Sequence, residues 1–171
     1  TVSEFNEAFP NRQGAELDPT FAAFAALQDW DGLMHFAYEH GREWDRKGPS
    51  GFNLNGDVTK LAAFAQTGWM YRTGAIAAAR HELKIAMPKE LRMKATAERQ
   101  QFNLARFFEA NGVNPNVAFQ HRVAIDTSAT APMKIDAPLP PYRAATGELA
   151  YDGKRQLFLV SAGKAAGAFG F

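Results

Sequence analysis

Residues 14–40, GAELDPTFAAFAALQDWDGLMHFAYEH, predict a helix followed directly by a strand. One face of the helix carries apolar residues at helical spacing: Leu17, Phe21, Phe24 and Leu27. Asp18 and Pro19 fit either a cap with its first helical position, or an irregularity in the early turns of a helix that starts sooner. Residues 31–40 have the length and aromatic content of a buried strand that ends near His40.

The residues before this helix supply the first strand of a βαβ unit. In TVSEFNEAFPNR, residues 1–12, positions 2–6 alternate as in a short strand, and the stretch after them contains a proline that cannot continue it. Glu4 therefore lies near the carboxyl end of a strand. A right-handed crossover through the helix makes the two strands parallel, with Glu4 and His40 at the same edge of the sheet.

A second helix follows the second strand after a long loop. Residues 41–56, GREWDRKGPSGFNLNG, form a glycine-rich connection of a length that is often functional. Asp57 then caps a helix that ends at Gly74, and its apolar residues recur at helical spacing: Leu61, Phe64, Ala65 and Trp69. The βαβα order predicts an α/β fold in which residues 1–75 are the last two βα units, strands seven and eight, of a (β/α)8 barrel.

Residues 76–171 predict a second, β-rich accessory domain with one helix. HELKIAMP, residues 81–88, is typical of a strand, and residues 89–112 of a polar-faced helix that ends at Asn111-Gly112. Short predicted strands separated by Pro and Gly follow, at a spacing typical of a small β-sandwich: residues 118–126, 132–138, 147–153 and 155–162. The proline-rich residues 137–147 indicate a connector between them.

The composition of the 171-residue chain excludes several classes of function. Lys and Arg number 19 against 18 Asp and Glu, so the net charge of +1 favours neither nucleic acid nor an anionic membrane as a partner. Without cysteine there is no disulfide, thiolate nucleophile or cysteine-ligated metal. No stretch approaches the roughly 18 apolar residues that span a bilayer. Both ends of the chain look cut from something longer, which leaves its localisation open.

Three stretches together resemble a known family: TVSEFNEAFPNR, ALQDWDGLMHFAYEH and GFNLNGDVTKLA. They are similar to the end of a barrel of clan A of the glycoside hydrolases, in a large bacterial cellulase-like or galactosidase-like lineage. Residues 146–171 resemble one of the β-rich segments that follow such barrels. The likeness covers most of the chain but only the final two barrel strands, and a secreted or periplasmic site is compatible with it.

The resemblance implies a retaining glycosidase that cleaves β-linked oligo- or polysaccharides. In clan A the nucleophile is a Glu at the end of strand seven, the position of Glu4. A retaining enzyme needs a second carboxyl roughly 5–5.5 Å away as acid and base. In this clan that group lies on strand four, which the chain does not contain. The resemblance therefore implies that the remaining barrel segment comes from another chain, from a homo-oligomer or from a longer form of this protein.

Other side chains on the same rim are candidates for substrate binding: Asn6, Glu7, Tyr38, His40 and Trp44. Polar groups at strand ends can hydrogen-bond sugar hydroxyls, and an exposed Trp44 can stack on a pyranose face. Plainer alternatives stay open: a solvated charge for Glu4, a turn for Asn6 and a packed lid for Trp44. Tyr38 and His40 equally fit strand-end residues that lie beneath a loop. Glu39 is a weaker candidate for the acid, because it points away from the face of Tyr38 in a regular strand.

Other catalytic motifs are missing from the sequence. The four histidines form neither an i, i+4 pair nor HExxH, the glycines lack dinucleotide spacing, and no G-x-S-x-G elbow is present. No metal or cofactor is implied. The rival to the enzyme is a carbohydrate-binding or assembly module without a complete catalytic pair, because two strands cannot close a barrel of about eight.

Overall fold

The computed structural model describes residues 1–98, 104–132 and 140–170. Two two-stranded parallel sheets and one four-stranded antiparallel sheet give these residues a mixed α/β architecture. In chain order the elements are β1 (Val2–Phe5), α1 (Gly14–Leu27), β2 (Leu33–His35), α2 (Val58–Arg72), β3 (Glu82–Ala86), α3 (Lys89–Ala97), α4 (Leu104–Ala110), a 3-10 turn (Pro115–Phe119), β4 (Arg122–Asp126), β5 (Tyr142–Arg143), β6 (Leu149–Asp152), β7 (Leu157–Ser161) and β8 (Ala166–Gly170).

The first sheet consists of β1 and β2, and its pairing is parallel, as predicted from the sequence. Phe5 pairs with His35, and an irregularity in register separates this pair from the first one. Both helices cover the same face of the sheet, because Phe5 contacts Phe21 of α1 at 4.7 Å and His35 contacts Phe64 of α2 at 5.6 Å between ring centroids. Membership of these strands in an eight-stranded barrel stays a prediction.

The ends of α1 and α2 follow from local signals. α1 begins at Gly14, so Pro19 lies inside the helix and not at its first position. The carboxylate of Asp57 accepts hydrogen bonds from the backbone N–H groups of Thr59 and Lys60, both at 3.1 Å, which confirms the predicted cap. Gly74, at φ +59°, provides the predicted stop.

Two predictions for this first unit are wrong in detail. β2 ends at His35 and not near His40, because the chain beyond Phe36 bonds to residues 52–55 of the following loop instead of to β1. The buried face of α2 also differs from the predicted stripe and consists of Lys60, Ala63, Thr67 and Met70. Phe64 and Trp69 of the predicted stripe stay 42% and 48% exposed.

A second parallel pair, β3 with β4, lies outside the β-rich arrangement predicted for the later residues. β4 pairs in parallel with β3 over five residues, so residues 118–126 belong to this sheet and not to a sandwich. The predicted helix over residues 89–112 is present as α3 and α4, and residues 99–103 between them lie outside the described ranges. The fully buried amide of Asn111 pairs with both backbone groups of Ala86, at 3.1 and 2.9 Å, and so fixes α4 to β3.

The last described residues form the antiparallel sheet β5-β6-β7-β8. β6 and β7 confirm the strands predicted within residues 147–153 and 155–162, whereas the strand predicted at 132–138 falls on residues outside the described part, apart from Pro132. One side of the sheet packs on the first unit, and the joint core contains Ala22, Ala23, Leu27, Met70, Leu149, Phe158 and Val160.

The side chain of Gln28 joins the first unit to the second. Gln28 is 7% exposed, and its Nε2 donates to the carbonyls of Ala118 and His121 at 2.7 and 2.6 Å. Its Oε1 accepts from the backbone N–H of Val123 at 2.9 Å. A single amide thereby satisfies three backbone groups at the start of β4, just after the last turn of α1.

We expect Gln28→Leu to lower the free energy of unfolding by about 3 kcal/mol, because it leaves these three backbone groups unpaired in a buried position. Urea denaturation followed by circular dichroism measures the change. Gln66→Leu, at an exposed position of α2, is the control and should change stability by less than about 0.5 kcal/mol. Equal effects of the two substitutions would contradict the role of Gln28.

Candidate active site

Glu4 lies in β1 with an exposed side chain. Its neighbour Phe5 packs against α1, and side chains alternate along a strand, so Glu4 projects from the sheet face that the helices leave open. Met34 of β2 is likewise 57% exposed. No hydrogen bond or ion pair joins Glu4 to another residue within the described ranges, so its carboxylate is accessible to a ligand.

The loop after β2 folds back beside the end of β1. The backbone N–H of Phe36 donates to the carbonyl of Phe5 at 3.0 Å, which is the last bond between the two strand ends. Ala37 then exchanges backbone bonds with the later part of the loop, donating to Phe52 at 3.2 Å and accepting from Leu54 at 3.0 Å. Residues 36–55 consequently form one rim segment at the carboxyl edge of the sheet that carries Glu4.

Aromatic side chains line this rim segment and are exposed. Tyr38 and Trp44 stack on each other at 6.1 Å between centroids and are 52% and 65% exposed. Phe36 stacks on His40 at 5.8 Å. The structure thus places the predicted residues Tyr38, His40 and Trp44 on one rim, where ring faces are available for stacking on a flat apolar ligand surface.

Asn6 is engaged in contacts within the protein. Its Nδ2 donates to the carbonyls of Phe36 and Phe52, and its Oδ1 accepts from the backbone N–H of Glu7 at 2.7 Å and from Lys60 Nζ at 3.2 Å. Both donors and both acceptor positions of the amide are therefore used. This arrangement does not support the predicted contact between Asn6 and a sugar, and it makes Asn6 a bridge between the end of β1 and the rim segment.

The carboxylate of Glu7 lies near charged groups of the helices. Burial raises the pKa of Glu7; Lys60 partly opposes this, whereas Glu16 and Asp18 add to it. Glu7 Oε2 is buried and has no hydrogen-bond partner among the described residues. The predicted role of Glu7 in reading substrate hydroxyls is not supported by this position.

Glu39 stabilises the rim segment instead of facing the open side. Its side chain is fully buried, accepts from Arg46 Nε at 3.1 Å and from Asn55 Nδ2 at 3.2 Å, and also accepts from the backbone N–H of Gly41 at 2.7 Å. The hydrogen bond from Arg46 holds the pKa of Glu39 below its ordinary value, with smaller contributions from Gly41 and Asn55. A carboxylate held in its ionised form is a poor general acid, so Glu39 does not replace the missing one.

A close backbone contact between Gly48 and Gly56 lies at the base of the rim segment. Gly56 has φ +81°, and a Cβ atom at this position would lie 2.5 Å from the carbonyl oxygen of Gly48. No other residue type fits there without moving backbone. The loop is therefore closed at its base directly before Asp57 and α2.

Sequence reasoning missed a buried acid–base pair on the helix side of the sheet. His35 Nε2 lies 3.3 Å from Asp18 Oδ1, and the two side chains are 2% and 1% exposed. Asp18 was interpreted only through its place beside Pro19, and nothing in the local pattern signals a partner on the next strand. The pair faces away from Glu4, so it belongs to the packing between α1 and β2.

Neither a metal site nor a deep cavity lies at Glu4 in the described part of the chain. Within it, no group of three or more His, Asp or Glu side chains has the geometry to hold a metal ion. Cavities of about 610 and 580 Å³ lie between the helices and the antiparallel sheet. No helix within the same residues is both long and apolar enough to cross a bilayer. The Glu4 rim is thus an open surface.

Comparisons with protein-family models, with curated proteins and with solved structures find no match for this chain. The resemblance to clan A glycoside hydrolases rests on the quoted residues.

We expect Glu7→Gln to raise the thermal midpoint at neutral pH. The pKa of Glu7 is raised above its ordinary value of 4.5, so ionised Glu7 disfavours the folded state, and stability is lost as pH rises above that value. The gain from Gln should shrink as pH falls through 4.5 and vanish well below it, where the carboxyl is protonated in both states. Calorimetry across this range is the measurement, with the exposed Glu109→Gln as control. A lower midpoint for Glu7→Gln at neutral pH would contradict the prediction.

Glu39→Gln should act in the opposite direction and lower the thermal midpoint at neutral pH. Because the pKa of Glu39 is lowered in the folded protein, its contribution is present above the ordinary value of 4.5 and is lost as pH falls through the lowered folded value. The wild-type and variant midpoints should therefore converge in acid. Glu43→Gln is the matched control, since Glu43 binds the same Arg46 at 3.1 Å but is 59% exposed. Equal losses at the two positions would argue against Glu39.

Proposed function

We propose that the chain is the nucleophile-bearing part of a retaining glycoside hydrolase that cleaves β-linked oligo- or polysaccharides, with Glu4 as the nucleophile. A Glu4 carboxylate oxygen attacks the anomeric carbon, the bond to the leaving oxygen breaks, and a second carboxylic acid protonates that oxygen. Water then attacks the glycosyl-enzyme ester and gives its proton to the second carboxylate, which releases the sugar and regenerates Glu4.

The observation that supports this proposal best is the parallel pairing of β1 with β2. Parallel pairing brings the carboxyl ends of both strands to one edge, so the exposed Glu4 shares a rim with the stacked rings of Tyr38 and Trp44. A carboxylate on the same rim as exposed aromatic rings suits a pyranose, whose C–H face stacks on a ring while its anomeric carbon approaches the carboxylate.

The acid–base carboxyl is expected from βα units that extend this sheet. Glu39 is engaged by Arg46, and Glu7 lies among charges of the helix layer. Parallel sheets are ordinarily covered on both faces, whereas β1 and β2 leave one face with exposed Glu4 and Met34. Further strands from another chain, from copies of this chain or from a longer form of it would cover that face and supply the second carboxyl.

A carbohydrate-binding or assembly module is the second candidate function. The exposure of the stacked Tyr38–Trp44 pair favours it, because two accessible rings can hold a sugar without any catalytic pair. This function predicts that the chain binds β-linked oligosaccharides, that the completed assembly does not turn them over, and that Trp44→Ala removes binding.

We expect the chain alone to be inactive on a panel of aryl β-glycosides, because the acid that protonates the leaving group is expected from further βα units. The completed assembly, meaning this chain together with the further βα units, should turn them over. In that assembly Glu4→Gln should reduce kcat by about a thousandfold or more while leaving the thermal midpoint unchanged. Glu109→Gln serves as the matched control.

Robust turnover by the Glu4→Gln assembly would remove Glu4 from the mechanism. Turnover by the chain as a monomer would show that the second carboxyl lies within it.

A further inference from the structure

Lys60 is a buried cation at the start of α2. It is 3% exposed, and its ammonium donates to Asn6 Oδ1 at 3.2 Å and to the carbonyl oxygen of Glu7. Neither acceptor is a carboxylate oxygen. Burying an ammonium is costly unless its donors are satisfied, so these two bonds largely determine where residues 6 and 7 can lie.

The side chain of Asn6 connects Lys60 to the rim segment. While its Oδ1 accepts from Lys60, its Nδ2 donates to the carbonyls of Phe36 and Phe52, which lie at the two ends of the loop with the aromatic rings. Asn6 is only two residues beyond Glu4 along the chain. One amide thus links the end of β1 to α2 and to the rim.

We propose that Lys60, acting through Asn6, is a positioning residue that holds Glu4 in a fixed relation to the rim carrying Tyr38 and Trp44. This rests on the function proposed for Glu4. A retaining mechanism needs the nucleophile placed to within a fraction of an ångström of the anomeric carbon, while stacking on the rim places the sugar. The clamp formed by Lys60 and Asn6 is a side-chain connection between these two parts of the site, in addition to the backbone bond from Phe36 to Phe5.

Three variants and one control separate the parts of the clamp. Lys60→Met removes the charge and keeps the chain length, whereas Lys60→Arg keeps the charge. Asn6→Asp keeps the acceptor for Lys60 but removes both donors to Phe36 and Phe52, and it carries the test if Lys60→Met fails to fold. Lys47→Met replaces an exposed lysine of the rim segment and is the control.

Hydrogen exchange tests the clamp without any assumption about activity. We expect amides of residues 2–9 and 36–55 to exchange about tenfold faster in Lys60→Met and Asn6→Asp, because a loss of about 1.4 kcal/mol of local stability corresponds to that factor. Residues 62–72 of α2 should keep their wild-type rates, and Lys60→Arg should restore slow exchange. Unchanged rates at residues 2–9 and 36–55, or equal acceleration across α2, would overturn the proposal.

Steady-state kinetics of the completed assembly test the positioning role itself. Lys60→Met and Asn6→Asp should lower kcat by about tenfold or more and change KM by less than about threefold, since the aromatic rings that bind the sugar remain. Lys60→Arg should recover most of kcat. Wild-type kcat in Lys60→Met would overturn the positioning role while leaving Glu4 as nucleophile. Full activity of Glu4→Gln would refute the proposed function, and the exchange rates would still decide whether the clamp exists.

Discussion

The hydrogen bonds of Gln28 hold together two parts of the protein that share no sheet. β1 and β2 form one parallel pair and β3 and β4 another, and the amide of Gln28 satisfies three backbone groups where the second pair begins. The ion pair of Arg122 with Asp29, at 2.6 Å, lies beside it. Because Gln28 directly follows α1, the same contact orients the helix that connects Glu4 to the second strand.

The polar residues near Glu4 divide into those that hold the rim and those that remain available. Asn6, Glu39 and Asn55 direct their side chains into the loop or the end of β1. Glu4 and Tyr38 face outward. The amides of Asn6 and Asn55 and the ion pair of Glu39 with Arg46 therefore support an exposed surface that carries the carboxylate of Glu4 and several aromatic rings.

Features that depend on a few neighbouring residues were predictable from the sequence. The Asp57 cap, the stop at Gly74 and the parallel pairing of β1 with β2 all follow from short-range signals and from the handedness of crossovers. The burial of Lys60 was not predictable, because a lysine reads as a solvent-facing residue and its acceptors lie more than fifty positions away. Because Lys60 points inward, the sequence pattern did not show which face of α2 is buried.

Other contacts between residues that are distant in the sequence could not be predicted. Nothing local shows that β4 joins β3 rather than the later strands, because its parallel partner lies forty residues earlier. The hydrogen bonds from Asn6 to the carbonyls of Phe36 and Phe52 could not be predicted from the sequence either, since any residue can supply a carbonyl. The glycosidase activity that we propose requires a second carboxyl, and no local pattern in the sequence indicates where that group would come from.

The contact between Gly56 and the carbonyl of Gly48 limits how this surface can diversify. With no room for a methyl group at Gly56, any side chain there would push the carbonyl of Gly48 away and open the base of the loop. Position 56 therefore tolerates no side chain, whereas the exposed side chain of Trp44, which lies outside residues 48–56, can change without disturbing this contact.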